Sequence, residues 1–235
     1  MFYDITYKNI SAQSLGVFVK ERPSFPVPER NKTFTQIPGR SGSLVIDEGT
    51  YNDITVQIKF NFVNEDEDEI GNIFREAKAW LLSSGSGRLE SSDDTGVFWL
   101  VKNVVITDSE RTAKIGHSFT ATFRLDPYTY YKSGETPISL PAMLYNAHEA
   151  AEPVYQIAGE GVCTITAGEN TLTLNIGQAV TIDCQNRMIY HTTGGVRNNV
   201  ALTGDIEDLF IPAGLFNISL SSGFTGTVKP NWRAV

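Results

Sequence analysis

The stretch Ile54-Thr55-Val56-Gln57-Ile58-Lys59-Phe60-Asn61-Phe62 places an apolar side chain at every second position along its whole length. Successive side chains of an extended chain point to opposite faces, so this alternation predicts a strand with one buried and one wet face. Strand character is expected to begin earlier, at Ser43 to Ile46, and to resume from Tyr51 to Val63. A helix is expected next, over 65–83. Asn64 can cap it, with Glu67 three residues on in a capping-box arrangement. The acidic run Glu65 to Glu69 suits the positive end of the helix dipole. Ile70, Ile73, Phe74, Ala77, Trp80 and Leu81 then recur at spacings of three and four, an apolar stripe that Ser83-Ser84-Gly85-Ser86-Gly87 terminates.

Working outward, Phe2 to Tyr7 and Gly16 to Val19 read as a strand pair. Residues 22–40 differ from everything around them. Pro23, Pro26, Pro28 and Pro38 rule out a helix and disfavour ladder hydrogen bonds, which predicts an extended arm or long loop. Phe25 and Phe34 give that arm apolar surface, which favours docking over disorder. Downstream, Val97 to Val101, Val104 to Ile106 and His117 to Leu125 read as strands, and Asp126-Pro127 is expected to stop the last of them. Ser133-Gly134-Glu135-Thr136-Pro137 reads as a boundary between a domain of residues 1–134 and a second of residues 135–235. Only four of the nineteen Lys and Arg residues lie beyond it, and no helical stripe does. Short strands interrupted at Ala167-Gly168-Glu169-Asn170 and Gly177-Gln178 predict an all-β sandwich or jelly roll there.

Composition bounds the function. With 235 residues, 41% of them apolar, the chain is long enough for two ordinary domains or one large β domain and can fill a core. A net charge of −8 makes it a poor wrapper of nucleic acid, which needs clustered Lys and Arg. A mildly acidic channel wall would instead let a polyanion slide past without sticking. No apolar run reaches the roughly 18 residues of a membrane-spanning helix. The N-terminus lacks a secretory pattern, so folding in a cytoplasm is expected. Cys163 and Cys184 are too few for a disulfide scaffold or a zinc site, and each is in phase with a neighbouring Ile, so both are expected in the core.

The residue types that carry chemistry do not assemble. His148-Glu149 lacks the second His of a zincin motif. Asn64, Asp66 and Asp68 have calcium-loop spacing, but Glu69 stands at the turn Gly and Arg75 at the bidentate Glu. Gly39-Arg40-Ser41-Gly42-Ser43 is neither a nucleophile elbow nor a phosphate loop. His117, His148 and His191 are isolated, and Glu90, Asp93 and Asp94 sit in Ser-Gly-rich loop surroundings. No catalytic, cofactor-binding or metal-ligating residue is expected, and no enzyme.

Several segments together resemble the siphophage distal tail protein (Dit) family. The proline-rich arm runs into Ile37-Pro38-Gly39-Arg40-Ser41-Gly42, then Tyr51-Asn52-Asp53 and the alternating strand, a helix, and a strand closed by Leu125-Asp126-Pro127-Tyr128. In the second half come Val180-Thr181-Ile182-Asp183-Cys184 and Met188-Ile189-Tyr190. The chain ends with Leu209-Phe210-Ile211-Pro212-Ala213-Gly214, Phe216-Asn217-Ile218 and Val228-Lys229-Pro230-Asn231-Trp232-Arg233. The resemblance implies a mainly β fold, with an N-terminal β-sandwich-like domain carrying one α-helix and a C-terminal galectin-like or jelly-roll β-sandwich. It implies a homohexameric ring at the tail tip of a phage or prophage virion, joining the tail tube protein to tail-associated, tail-fibre or receptor-binding proteins. DNA would pass through the ring without specific binding.

A ring closes when one patch of each subunit meets a different patch on the next. The arm suits such a contact, because proline lowers the entropy lost on docking. Pro23, Phe25, Pro26, Pro28, Arg30, Phe34 and Arg40 are therefore the candidate oligomer interface, and Arg22, Arg30, Lys32 and Arg40 supply positive charge to meet an acidic neighbour. Three readings compete with this one. They are a module binding cell-surface glycans through the second domain, another tail-tube component, and a peptidoglycan hydrolase. A galectin-type set of His, Asn, Arg, Trp and Glu does not assemble around His191 or Trp232.

Overall fold

The structure is a computed structural model that describes residues 3–192 and 201–235, without the side chains of residues 112, 201 and 202. Two compact units divide the chain, Met1–Thr129 together with Val235, and Tyr130–Ala234. The fold is mainly β, in several sheets, with one α-helix among the described residues.

The first unit contains β1 (Ile5–Tyr7), β2 (Ile10–Ser11), β3 (Phe18–Val19), β4 (Arg30–Gln36), β5 (Ser43–Tyr51), β6 (Ile54–Val63), α1 (Glu67–Leu81), β7 (Gly87–Ser91), β8 (Val97–Ala113) and all but the last two residues of β9 (Gly116–Tyr131). The main sheet runs in the order β2-β1-β7-β8-β9-β6-β3. On β6 the expected alternation holds, with Ile54, Val56, Ile58, Phe60 and Phe62 buried and Thr55, Gln57 and Lys59 exposed. The register Phe60↔Phe119 and Ile58↔Ala121 carries the same buried face onto β9. The stripe of α1 covers that face. Trp80 lies 6.2 Å from Phe60 between ring centroids, and Phe74 lies 5.4 Å from Phe119. Burying each such side chain stabilises the unit by about 2–3 kcal/mol. The indole N–H of Trp80 donates to the Tyr7 carbonyl at 2.9 Å, so the helix end is tied to β1 without an unsatisfied donor.

Three local readings are corrected. The helix cap is Asp66, whose carboxylate accepts from the Asp68 N–H, while Asn64 accepts from the Asp66 N–H. Asn64 forms its own turn one step upstream, which leaves Asp66 as the first side chain able to reach a free helical donor. β9 continues through Pro127 to Tyr131. Its ladder with β6 ends at Leu125↔Ile54, so the missing N–H of Pro127 breaks no bond on that side. The third correction concerns the arm. Its residues 30–36 form β4, paired with β5 through Phe34↔Val45 and its neighbours. The prolines bracket a proline-free segment, Glu29 to Ile37, rich in β-formers, so they limit the strand and do not forbid it. Phe2, assigned to the first strand from sequence, lies outside the described residues.

The second unit contains β10 (Ile138–Ser139), β11 (Ala142–Asn146), β12 (Val154–Ala167), β13 (Asn170–Asp183), β14 (Met188–His191), β15 (Ala201–Thr203), β16 (Gly214–Leu220), β17 (Thr225–Lys229) and β18 (Arg233–Ala234). Its sheet runs β10-β17-β12-β13-β14, with β15 also on β13 and β16 bridging β11 and β12. The break expected at Gly177-Gln178 is absent. β12 and β13 form one long hairpin in which Gly159 faces Gln178 and Glu160 faces Gly177. The bend is absorbed by positive φ, 149° at Gly159 and 73° at Gln178, without loss of pairing. A Cβ at Gly159 would also stand 2.3 Å from the Phe224 ring. Tyr155, Ile157, Ile165, Leu172, Leu174 and Ile182 fill the core, and the Tyr155 hydroxyl donates to the Leu209 carbonyl at 2.8 Å. Cys163 and Cys184 are free and fully buried, and burial pushes both thiols above their ordinary pKa. Such thiols are poor nucleophiles at neutral pH.

Candidate functional site

β4 and β5 pair with each other alone among the described strands, forming a two-stranded ribbon apart from the main sheet. Residues opposite each other in an antiparallel pair share a face. One face of the ribbon therefore carries Lys32 with Asp47, Phe34 with Val45, and Gln36 with Ser43, and the other carries Thr33 with Ile46 and Thr35 with Leu44. Both faces are open to solvent. Phe34 is 66% exposed, Val45 and Ile46 50% each, and Leu44 and Ile37 39% each. A lone two-stranded ribbon is marginal in water, and contiguous exposed apolar surface marks a contact site. Polar links along the ribbon hold its shape. Arg30 Nε donates to Asp47 at 2.9 Å, Thr33 Oγ1 to Glu48 at 2.8 Å, and Asn31 Nδ2 to Thr50 Oγ1 at 2.9 Å.

The seven residues singled out from sequence fall into separate places. Phe25 stacks on Trp99, ring centroids 4.2 Å apart, and Pro23 and Pro28 are half-buried beside it in sequence. Arg22, just upstream, pairs with Asp93 at 2.8 Å. The root of the arm is thus tied to its own unit. Pro26 is exposed there, next to Val27 at 81% exposure. Arg30 lies at the ribbon's base, its guanidinium on Asp47 and over the Tyr51 ring. Phe34 and Arg40 stand on the free ribbon. Two of the four cations expected to face a neighbour, Arg22 and Arg30, are therefore engaged within the chain. Ile37, Leu44, Val45 and Ile46 also belong to the exposed apolar surface and were not singled out from sequence. The available signal was the unbroken apolar run Leu44-Val45-Ile46, which places apolar groups on both faces of a strand.

The residues examined for chemistry have structural surroundings. The His117 ring lies 4.4 Å from Phe74 and 5.3 Å from Phe62, with Nε2 3.2 Å from Ser109 Oγ. Burial, with Arg111 adding to it, holds its pKa below the ordinary value. His148 stacks on Tyr131 at 4.3 Å, and His191 pairs opposite Val180. Asn64 and Asp66 serve the helix start, and Gly39 and Gly42, at φ 82° and 83°, belong to the ribbon's turn. Glu90 pairs opposite Thr6, and Asp93 takes Arg22. Among the described residues no three of His, Cys, Asp and Glu gather as a metal site. The second unit has an open recess of about 570 Å³ lined by Ser139, Gln156, Thr192, Thr225, Thr227 and aliphatic neighbours. Trp232, around which no galectin-type set assembles, packs against that unit's core.

Comparison with known proteins places this arrangement. Residues 13–126 match the phage tail protein RIFT-related domain family. The helix, the ribbon and strands β3, β6, β7 and β8 lie within that span, β9 runs through its end, and β1 and β2 precede it. The fold follows the crystal structure of the Dit (gp 19.1) protein of phage SPP1, described as a paradigm of the hub adsorption apparatus in phages infecting Gram-positive hosts. The TM-score is 0.74 at 12% identity, over 100% of both chains. Two structures of the phage p2 baseplate in its activated conformation are also similar. The one with Ca gives a TM-score of 0.53 at 12% identity over 97% of each chain, and the one with Sr gives 0.52 at 12% over 96% of each. No curated protein sequence matches the chain. The fold thus resembles that of the SPP1 Dit protein along the whole length of the chain.

Proposed function

We propose, for a chain that carries a phage tail domain on a distal-tail-protein fold, that it is a structural component of a phage or prophage tail tip. It forms a homohexameric ring there, connecting the tail tube to the host-adhesion baseplate, with the DNA path through its centre. The observation that carries this reading is the ribbon. A subunit complete in itself would not hold Phe34, Leu44, Val45 and Ile46 in water on both faces of an otherwise unsupported hairpin. A subunit that finishes its packing in an assembly would. A ribbon that meets a different patch on the next subunit makes a heterologous contact, and such contacts generate a ring when the rotation closes.

Labelling purified virions with an antibody to the chain, followed by electron microscopy, tests the location. Label at the tail tip is the expected result. Label along the whole tube would make the protein a tube component, and its absence from virions would remove the reading.

A further inference from the structure

The ribbon needs a receptor, and the first unit carries one of matching character. An open apolar groove of about 400 Å³ lies between the β2 turn and the C-terminal end of α1. Ile10, Leu15, Ala79 and Trp80 line it, with Lys8 and Glu76 as its charged members. Ile10 is 41% exposed, and Leu82, beyond the helix end, 54%. The Lys8 ammonium donates to the Ser83 carbonyl at 2.9 Å, the Ser83 Oγ at 3.1 Å and the Ser84 carbonyl at 2.7 Å, which fixes its charge in place at the groove, to act there through its field. Glu76 is exposed and in no ion pair among the described residues.

The Phe34 face of the ribbon has the complementary composition. The Phe34–Val45 pair is flanked by Lys32 and Asp47 directly opposite each other. Lys32 forms no ion pair among the described residues. Asp47 uses Oδ1 for Arg30 and for the Gly49 N–H, which leaves Oδ2 available. Ribbon and groove each present an apolar centre beside one cation and one anion. Within a single folded chain both surfaces remain exposed, so neither fills the other.

We propose that this groove receives the Phe34–Val45 face of the ribbon of a second copy of the chain, with Lys32 meeting Glu76 and Asp47 meeting Lys8. The proposal rests on the reading of the ribbon as the assembly contact and adds the site that accepts it. Burial of the phenyl ring supplies the affinity, and the two crossed charge pairs fix orientation and reject the reversed docking.

A charge swap in the full-length chain tests it. Lys32→Glu alone and Glu76→Lys alone each weaken self-association about tenfold at low ionic strength, and the two together restore it, as sedimentation reads it. Both residues are exposed, so the fold is retained in each variant. Separately, a Phe34→Cys protein mixed with an Ile10→Cys protein under mild oxidation gives a disulfide-linked heterodimer, while the buried Cys163 and Cys184 stay out of the reaction. If replacing the ribbon dissolves the assembly but the swap has no effect and the cysteines do not join, the groove is overturned and the ribbon contact stands. If the assembly survives ribbon replacement, or the intact chain never self-associates, the ribbon contact falls and the groove with it.

Discussion

Phe25 lies nearly flat on Trp99, ring centroids 4.2 Å apart and planes inclined by 18°. This contact divides the proline-rich segment. Upstream of it the chain is held to its own sheet, and downstream it leaves the sheet as a ribbon with two solvated faces. The division sets what each part of the segment contributes, packing energy from the root and exposed apolar surface from the ribbon.

Phe25→Ala removes the stack from a half-buried site. It is expected to lower the stability of the first unit by about 1–2 kcal/mol, read by urea denaturation, and to weaken assembly as well by loosening the ribbon's base. No loss of stability would mean that the arm's root is not anchored as described.

Phe34→Ser and Ile46→Ser act on opposite faces of the ribbon. Each leaves monomer stability within about 0.5 kcal/mol, because the side chains are solvated in the free subunit. Each also weakens assembly, Phe34→Ser more than Ile46→Ser, as measured by sedimentation. A stability loss with unchanged assembly would show that the ribbon folds back on its own chain.

Stability is expected to fall in two separate windows as pH drops. Burial, with Arg111 adding to it, lowers the pKa of His117 in the folded chain, so the unfolded chain takes up the proton first, near pH 6.5. The contribution is full above about pH 6.5 and is lost as pH falls through the folded value. For Asp53, burial raises the pKa, but hydrogen bonds from Lys102 and Arg124 outweigh it and the net shift is downward. Its contribution is full above about pH 3.9 and is lost as pH falls through the folded value below that. His117→Phe should remove the first window and Asp53→Asn the second in urea titrations at a series of pH values. A profile unchanged by either substitution would contradict the assignment.

In the second unit Glu152 bridges Arg233 at 2.9 Å and Arg187 at 3.3 Å, with the Arg233 side chain only 9% exposed. Glu152→Gln removes the carboxylate that the two guanidiniums share and is expected to cost about 2 kcal/mol in thermal denaturation. A change under about 0.5 kcal/mol would place the pair among ordinary surface ion pairs.

The sequence was informative where one periodicity fixes one answer. Ile54 to Phe62 can hide its apolar half only as a strand, and Ile70 to Leu81 only as a helix. It was less informative where a local signal has two tertiary outcomes. Leu44-Val45-Ile46 has the composition of a core strand yet lies in solvent, because burial depends on which elements arrive to cover it. The breaks expected at Pro127 and Gly177 failed for a related reason. Whether a missing N–H or a glycine interrupts a strand depends on the partner at that position: no β6 residue faces Pro127, and Gly177 keeps Glu160 opposite it across the hairpin. The proposed contact surface was half visible: Phe34 and Arg40 stand exposed on the ribbon, while Phe25 and Arg22 anchor its root.

The most direct measurement is the native mass of the full-length chain beside that of a variant in which Arg30–Tyr51 is replaced by a short Gly-Ser linker. The account predicts a closed hexamer for the first and a folded monomer for the second. A hexamer that persists without the ribbon would contradict it.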